Sequence, residues 1–513
     1  MNKKIALLAL LAFAAPFWMQ AQTAYDALRF SQVFYTGTAR SAAMGNAMTA
    51  LGGDFGALSI NPAGSAVYPY SEFVCTPLLH TSLTKADYLS NTTQEARTRL
   101  GISNVGYVSA YHTPNFSLSF GVGYNALNNF TDRFSAGGTT NQSSWLASLA
   151  YNTDNIQAKN MDWNKDQNPF YQGIAPWRSI LAWNVSLLDT IPGSGGLQYI
   201  GATEAYFGNH IGIPGNLRQN YVRQANGNTG EYLINVGLNL SNKLFLGANI
   251  GFQSIWYDYS ESYSEEAVKT HEFSQTAFKD FTHSYTQTTS GIGLNLKLGV
   301  IFLPVDNFRL GASISTPTWM RLHDEWQETI KTSFSDGYRQ NLESPLGTYD
   351  YHINTPFRWN VGMAYTFGAF GAVSVDYEQT AYNRIMMNAT DYRTTNPFAD
   401  ELAIIKKEFR SAGNLRTGLE INLSEAFALR GGYAYYQNPE KSNGFDTHIA
   451  SLGVGLQAGS FFSDLTFMQR FAQKEGFALY GDVYDGNYPV YSAPVGTQTV
   501  SNWKVLLSFG FRF

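Results

Sequence analysis

The chain has 513 residues with a formal net charge of −5; 14% are charged and 15% aromatic, including 32 Tyr and 35 Phe. Charge this sparse, against roughly 25% in an average soluble domain, sets the chain apart from ordinary soluble proteins. No basic patch marks it for nucleic acid, and the single Cys75 cannot close an internal disulfide.

Residues 1–21 read as a secretory signal peptide. Lys3 and Lys4 precede an apolar run from Ile5 to Trp18, and Met19-Gln20-Ala21 offers a small-residue cleavage site. The run is too short to span a bilayer, and no later stretch reaches transmembrane-helix length.

Residues 22–66 are compact and rich in small residues. "SAAMGNAMTAL" predicts a short helix with Met44, Ala47, Met48 and Leu51 on one face, stopped by Gly52-Gly53-Asp54. Asn61-Pro62-Ala63-Gly64 then makes a turn, because proline fixes its own φ and biases the preceding residue toward extended backbone.

From residue 67 to 513 the pattern alternates. Phe116, Leu118, Phe120, Val122 and Tyr124 interleave with Ser117, Ser119, Gly121 and Gly123; Ile292, Leu294, Leu296 and Leu298 interleave with Gly293, Asn295 and Lys297. A period of two with one apolar face and one small or polar face suits a strand between lipid and a polar lumen. Fourteen strands are predicted, near 69–84, 100–112, 115–130, 229–241, 243–259, 284–303, 306–330, 350–368, 370–383, 410–423, 425–437, 446–458, 460–474 and 499–513. Links after even-numbered strands are brief and those after odd-numbered ones long and polar, the largest being a loop insertion at 131–228. Short periplasmic turns and long outer loops belong to outer-membrane barrels, which places both termini in the periplasm. Aromatics such as Phe130, Trp256 and Tyr257 are expected at the outer membrane interface. The fold class expected is therefore all-β: a 14-stranded antiparallel transmembrane barrel whose lumen, too wide for side chains alone to fill, takes residues 22–66 as a plug.

The stretch "ARSAAMGNAMTALGGDFGALSINPAGSA", with Asn61-Pro62-Ala63 as its signature, resembles the N-terminal hatch of the FadL/TodX family of outer-membrane transporters for hydrophobic compounds. "FRLGASISTPT", "TPFRWNVGMAYTFGAFGAVSVDYEQTAYN" and "LRTGLEINLSEAFALRGGYAYYQNP" match in the family's order. The resemblance implies passive uptake of long-chain fatty acids or aromatic hydrocarbons, with a hatch shift and a kinked third strand opening a lateral route through the wall. It also admits a second role, as an outer-membrane shuttle or attachment protein in protein secretion.

Several residues are candidates for these tasks. Trp177, Leu181, Val185 and Leu188 share a helical face that offers an outer capture surface. Arg430 and Lys297 point into the lumen by parity and suit a ligand carboxylate, ahead of Lys504 and Arg512. Gly121 and Gly123 mark a kink in strand three. The terminal Phe509, Phe511 and Phe513 resemble the signal read by the barrel assembly machinery. Outer-membrane lipid and lipopolysaccharide are the expected surroundings, a hydrophobic small molecule the expected ligand, and a monomer the expected state. No cofactor, metal or catalytic site is expected, since no nucleophile elbow, His-Glu-x-x-His or phosphate-binding loop occurs.

Overall fold

The computed structural model describes residues 23–113, 116–208, 210–390, 396–442, 444–485 and 488–513; the expected signal peptide lies outside them. Fourteen antiparallel strands close into one barrel. They are β1 (Glu72–Tyr88), β2 (Asn91–His112), β3 (Phe116–Asn129, resumed at Asp132–Thr140), β4 (Leu217–Leu240), β5 (Leu244–Ala267) and β6 (Phe278–Val305). Next come β7 (Phe308–Ser315 and Trp319–Phe334), β8 (Gly347–Asn354 and Arg358–Thr366), β9 (Gly371–Ala381 and Met386–Ala389) and β10 (Ser411–Asn422). The wall ends with β11 (Phe427–Tyr436), β12 (Thr447–Ala458), β13 (Phe461–Ala478) and β14 (Val495–Arg512). Pairing of β1 with β14, from Glu72↔Arg512 to Asp87↔Thr497, closes the ring.

The alternation sorts as expected. On β6, Ile292, Leu294, Leu296 and Leu298 face outward and exposed, while Asn295 and Lys297 are buried in the lumen. A continuous outward apolar belt of this kind is a lipid-facing surface, and a closed ring leaves no edge strand unpaired within it. No described helix is long and apolar enough to cross a membrane.

Three expectations need correction. β1 and β2 are joined by a two-residue turn at Leu89-Ser90, both with positive φ, so the link after the first strand is short. The long strands β1–β6 rise well past the roughly 9–11 residues a membrane needs, and the link between β3 and β4 accordingly narrows from 131–228 to 141–216. Phe130 and Tyr257 do not face lipid; they turn inward and pack edge-on against Phe30 at 5.8 and 5.9 Å.

The lumen is filled from two sides. At the long-loop end lies α1 (Ala24–Ser31), started by a capping box in which Thr23 and Asp26 bond each other's backbone N–H. Its Leu28 and Phe30 pack with Tyr351, Phe398 and Ile405. Ile405 belongs to α5 (Ala399–Glu408) in the loop between β9 and β10. The described chain thus begins at the long-loop end, whereas Phe513 bonds Ser71 at the short-turn end, so its two ends do not share one side as expected.

Below α1 the chain runs down the lumen through α2 (Ala39–Ala43) and two 3-10 turns, Phe55–Ser59 and Pro62–Val67. The helix expected over 41–51 stops at Met44, because Gly45 and Asn46 both adopt left-handed φ. Met44, Met48 and Leu51 are nonetheless buried, together with Ile60 and Leu127.

Above the wall, residues 141–216 form a cap with its own apolar core. It holds α3 (Trp145–Thr153) and α4 (Trp177–Asn184), packed on the outer ends of β5, β6 and β7. Buried Glu265 of β5 anchors it by accepting from Ser144 Oγ, Trp145 N, Tyr263 Oη and Gln219 Nε2 at 2.6–2.9 Å.

Candidate functional site

The hatch signature sits where it can hold the plug to the wall. Asn61 Nδ2 donates to Thr49 O at 2.6 Å and to Val300 O of β6 at 3.1 Å, while Oδ1 accepts from Ala63 N. Such an Asn before a Pro turn satisfies three backbone groups at once, in a place where water cannot. The inward glycines of the wall have a matching cause. A Cβ on Gly299 would lie 1.8 Å from Asn61 Oδ1, and one on Gly432 2.1 Å from Gly45 N. Close approach of plug to wall therefore requires the missing side chains.

Polar contacts lock the same seat. Ser59 donates to Glu231 of β4, Thr49 N to Asp376 of β9, and Ala39 N to Ser508 of β14, all at 2.7 Å. Lys297 bonds both carboxylate oxygens of Glu231 at 2.6 Å and Ser59 O at 3.0 Å. Arg430 is bound by Glu420 and Asp464, and Glu420 also takes Arg40 of the plug. Both cations expected to meet a ligand are thus buried and satisfied by lumen acids, which is what a buried charge requires.

The outer candidates are covered too. Trp177, Leu181, Val185 and Leu188 are each at most 4% exposed. They pack inside the cap against one another and against Trp326, Ile330 and Phe334 of β7, and so offer no open capture surface. Arg512 pairs with Glu72 at the short-turn end. Phe509 and Phe511 face outward, and the Phe513 backbone pairs with Ser71.

Geometry instead singles out the wall between β2 and β3. Their ladder runs from His112↔Ser117 up to Asn104↔Asn125 and stops. Above that point β2 pairs with β1 alone. β3 carries a bulge at Leu127, where Ala126 and Asn128 oppose consecutive residues of β4, and the strand breaks at Phe130-Thr131. Its upper piece then pairs only with β4. Side chains replace the missing ladder: Thr84 Oγ1 donates to Arg133 O and Asn91 Nδ2 to Gly137 O, while Phe134 and Ala136 pack on Ala86 and Tyr88 of β1. A bulge bends its strand and sharpens the local twist, which swings upper β3 out of register with β2. Gly121 and Gly123 lie lower, in the regular ladder opposite Val108 and Gly106.

The interruption opens a cavity of about 900 Å³. Its outer lining includes Leu100, Ile102, Val122, Ile234 and Phe252, which are 42–83% exposed on the lipid face. Its inner lining includes Thr36 of the plug segment, His80, Leu233 and Lys504. Residues from both faces of the wall line this one cavity. The plug touches its frame as well: the bulged Leu127 carbonyl accepts from Phe34 N at 2.8 Å, and Asn128 Nδ2 donates to Gln32 O.

Among the described residues no group of three or more His, Cys, Asp or Glu is placed to hold a metal ion. Asp162 accepts from Trp183 Nε1 at 2.8 Å, a structural role within the cap.

No family model and no curated protein matches the sequence. Solved structures do. A Pseudomonas aeruginosa FadL homologue superposes with a TM-score of 0.53 at 11% identity, over 94% of this chain and 100% of the other. The Pseudomonas putida toluene transporter TodX gives 0.52 at 13% identity, over 94% and 99%. The chain therefore has the fold of the FadL/TodX type.

Proposed function

We propose that the protein mediates passive uptake of hydrophobic molecules across an outer membrane, through its plugged barrel and the side opening between β2 and β3. The observation that carries this reading is the cavity between β2 and β3, lined by apolar residues of the lipid face and by Thr36 of the plug. A hydrophobic solute gains nothing from an aqueous pore, whereas a dry apolar cavity binds it by removing its surface from water. The plug seals the lumen against a continuous water path. The solved relatives named as a toluene transporter and a FadL homologue support the same reading. No energy source is needed, since the solute moves down its own gradient. The terminal Phe509, Phe511 and Phe513 serve assembly rather than transport in this scheme.

Mass spectrometry of ligand released from detergent-purified barrel tests it. A hydrophobic compound at near-equal stoichiometry, reduced when residues 22–66 are deleted, is the expected result. An empty barrel that captures one exported protein would favour the secretion-shuttle role.

A further inference from the structure

Resting on that uptake reading, we propose that the barrel loads its solute from the outer leaflet of the membrane, through the opening between β2 and β3, and not from the outer medium through its top. The solutes it serves are therefore hydrophobic molecules already dissolved in lipid.

The top is shut by two apolar cores with a polar layer between them. The lumen-facing side chains of β5 show the order along one strand. Tyr257 belongs to the core around α1, Glu261 follows, and Tyr263 belongs to the core of the cap. Glu261 accepts from Tyr221 Oη at 2.9 Å and from Tyr259 Oη at 2.6 Å. In the core around α1, Ala24, Ala27, Leu28 and Phe30 are at most 4% exposed, and Phe398, Ile405 and Phe409 are fully buried. A hydrophobic solute arriving from the medium would have to part both packed cores and cross the carboxyl group held between them.

The side opening presents the opposite. Its lipid-side lining includes Ile234, Phe252 and Trp256, each 42–47% exposed. Trp256 is the uppermost apolar residue on the outward face of β5, since the next outward side chain, Asp258, accepts from Thr288 Oγ1 at 3.0 Å. Tryptophan at the end of an apolar belt marks the membrane interface. The opening therefore meets lipid in the outer half of the belt. A solute dissolved there reaches the cavity without leaving an apolar phase, and one in water enters that lipid by burying its own apolar surface. On the lumen side the same cavity is lined by Leu233 and by Thr36 of the plug.

A tether that holds the cap shut separates the two entrances. The cap is joined to β3 and β4 by its chain ends and to β5, β6 and β7 by its core, so the side beside the β13–β14 loop remains to be pinned. There a Cβ on Gly481 would lie 3.7 Å from Ser148 Oγ of α3. That is within reach of a disulfide made by Ser148→Cys with Gly481→Cys in a Cys75→Ser background. Loss of free thiol verifies the bond, and the shift in gel migration between folded and heated barrel verifies assembly. Uptake of radiolabelled hexadecanoate by cells carrying the tethered protein should stay within about twofold of its value after thiol reduction. Adding Gly101→Trp to the tethered protein should lower uptake about tenfold. Uptake that is lost in the tethered protein and returns on reduction would overturn lateral loading while leaving the uptake reading intact. No uptake by the wild type or any variant would overturn the uptake reading itself.

Discussion

Asn61 and Glu204 show how single side chains set the behaviour of plug and cap. The three hydrogen bonds of Asn61 reach plug and wall together, so its identity depends on Gly299 opposite as much as on its own turn. Glu204 lies in the cap, 5% exposed, where Oε2 accepts from Gly201 N at 2.7 Å. Burial pushes its carboxyl up from 4.5 to about 7, against the smaller opposing effect of that hydrogen bond. Between those values the folded cap holds a proton that the unfolded chain has released, so stability falls as pH rises and is lowest above about 7. Amide exchange at residues 199–204, corrected for intrinsic rates, should therefore quicken from about pH 5 to about pH 8. Glu204→Gln should flatten that dependence; an unchanged profile in the variant would assign it to another group.

At the scale of elements, the sequence disclosed strands wherever one face meets lipid. Ile292–Leu298 alternates because a membrane-embedded strand must differ on its two sides. The tip of β1 beyond Thr84 and the upper half of β2 were hidden for the converse reason. Over Asn91–Arg99 the inward side chains Thr93, Glu95 and Arg97 bond β3 and β4 and the outward ones include Thr92, Gln94 and Thr98, so both faces are polar, hydrophobic alternation vanishes and the segment reads as a polar loop. The break in β3 had one local sign, the paired Asn128-Asn129 within an otherwise regular strand, a residue type that favours turns. Glycine spacing pointed too low, because the wall's glycines are spent on contact with the plug, as at Gly123, where a Cβ would meet Phe55. In the cap, the apolar face of α4 was legible, but what covers it was not, since β7 lies some 150 residues away in sequence. Truncating Trp177 to Ala removes a 4%-exposed ring whose Nε1 donates to Phe170 O. The expected loss is about 3–5 kcal/mol of cap stability. Limited proteolysis should then cut within 141–216 while the barrel keeps its folded gel migration. A cap as resistant as wild type would contradict the packing described.

For the whole molecule, three layers close the long axis: the cap with its own core, α1 beneath it, and the plug held by the Arg40–Glu420 ion pair and by hydrogen bonds to the wall. Between β2 and β3 the ladder stops short, and there plug residues and bulge share hydrogen bonds. The ring of strands and the plug were readable from sequence, since both rest on local pattern. The account's central claim is that solute passes through this side opening. Gly101 lines it, and a Cβ there meets nothing within 4 Å, so Gly101→Trp fills the passage without disturbing the fold. Uptake of radiolabelled hexadecanoate by cells carrying equal amounts of folded wild-type or Gly101→Trp protein is the direct measurement. The account predicts a fall of about tenfold or more, since an indole takes up much of the space a tail must cross. Uptake equal to wild type would contradict it.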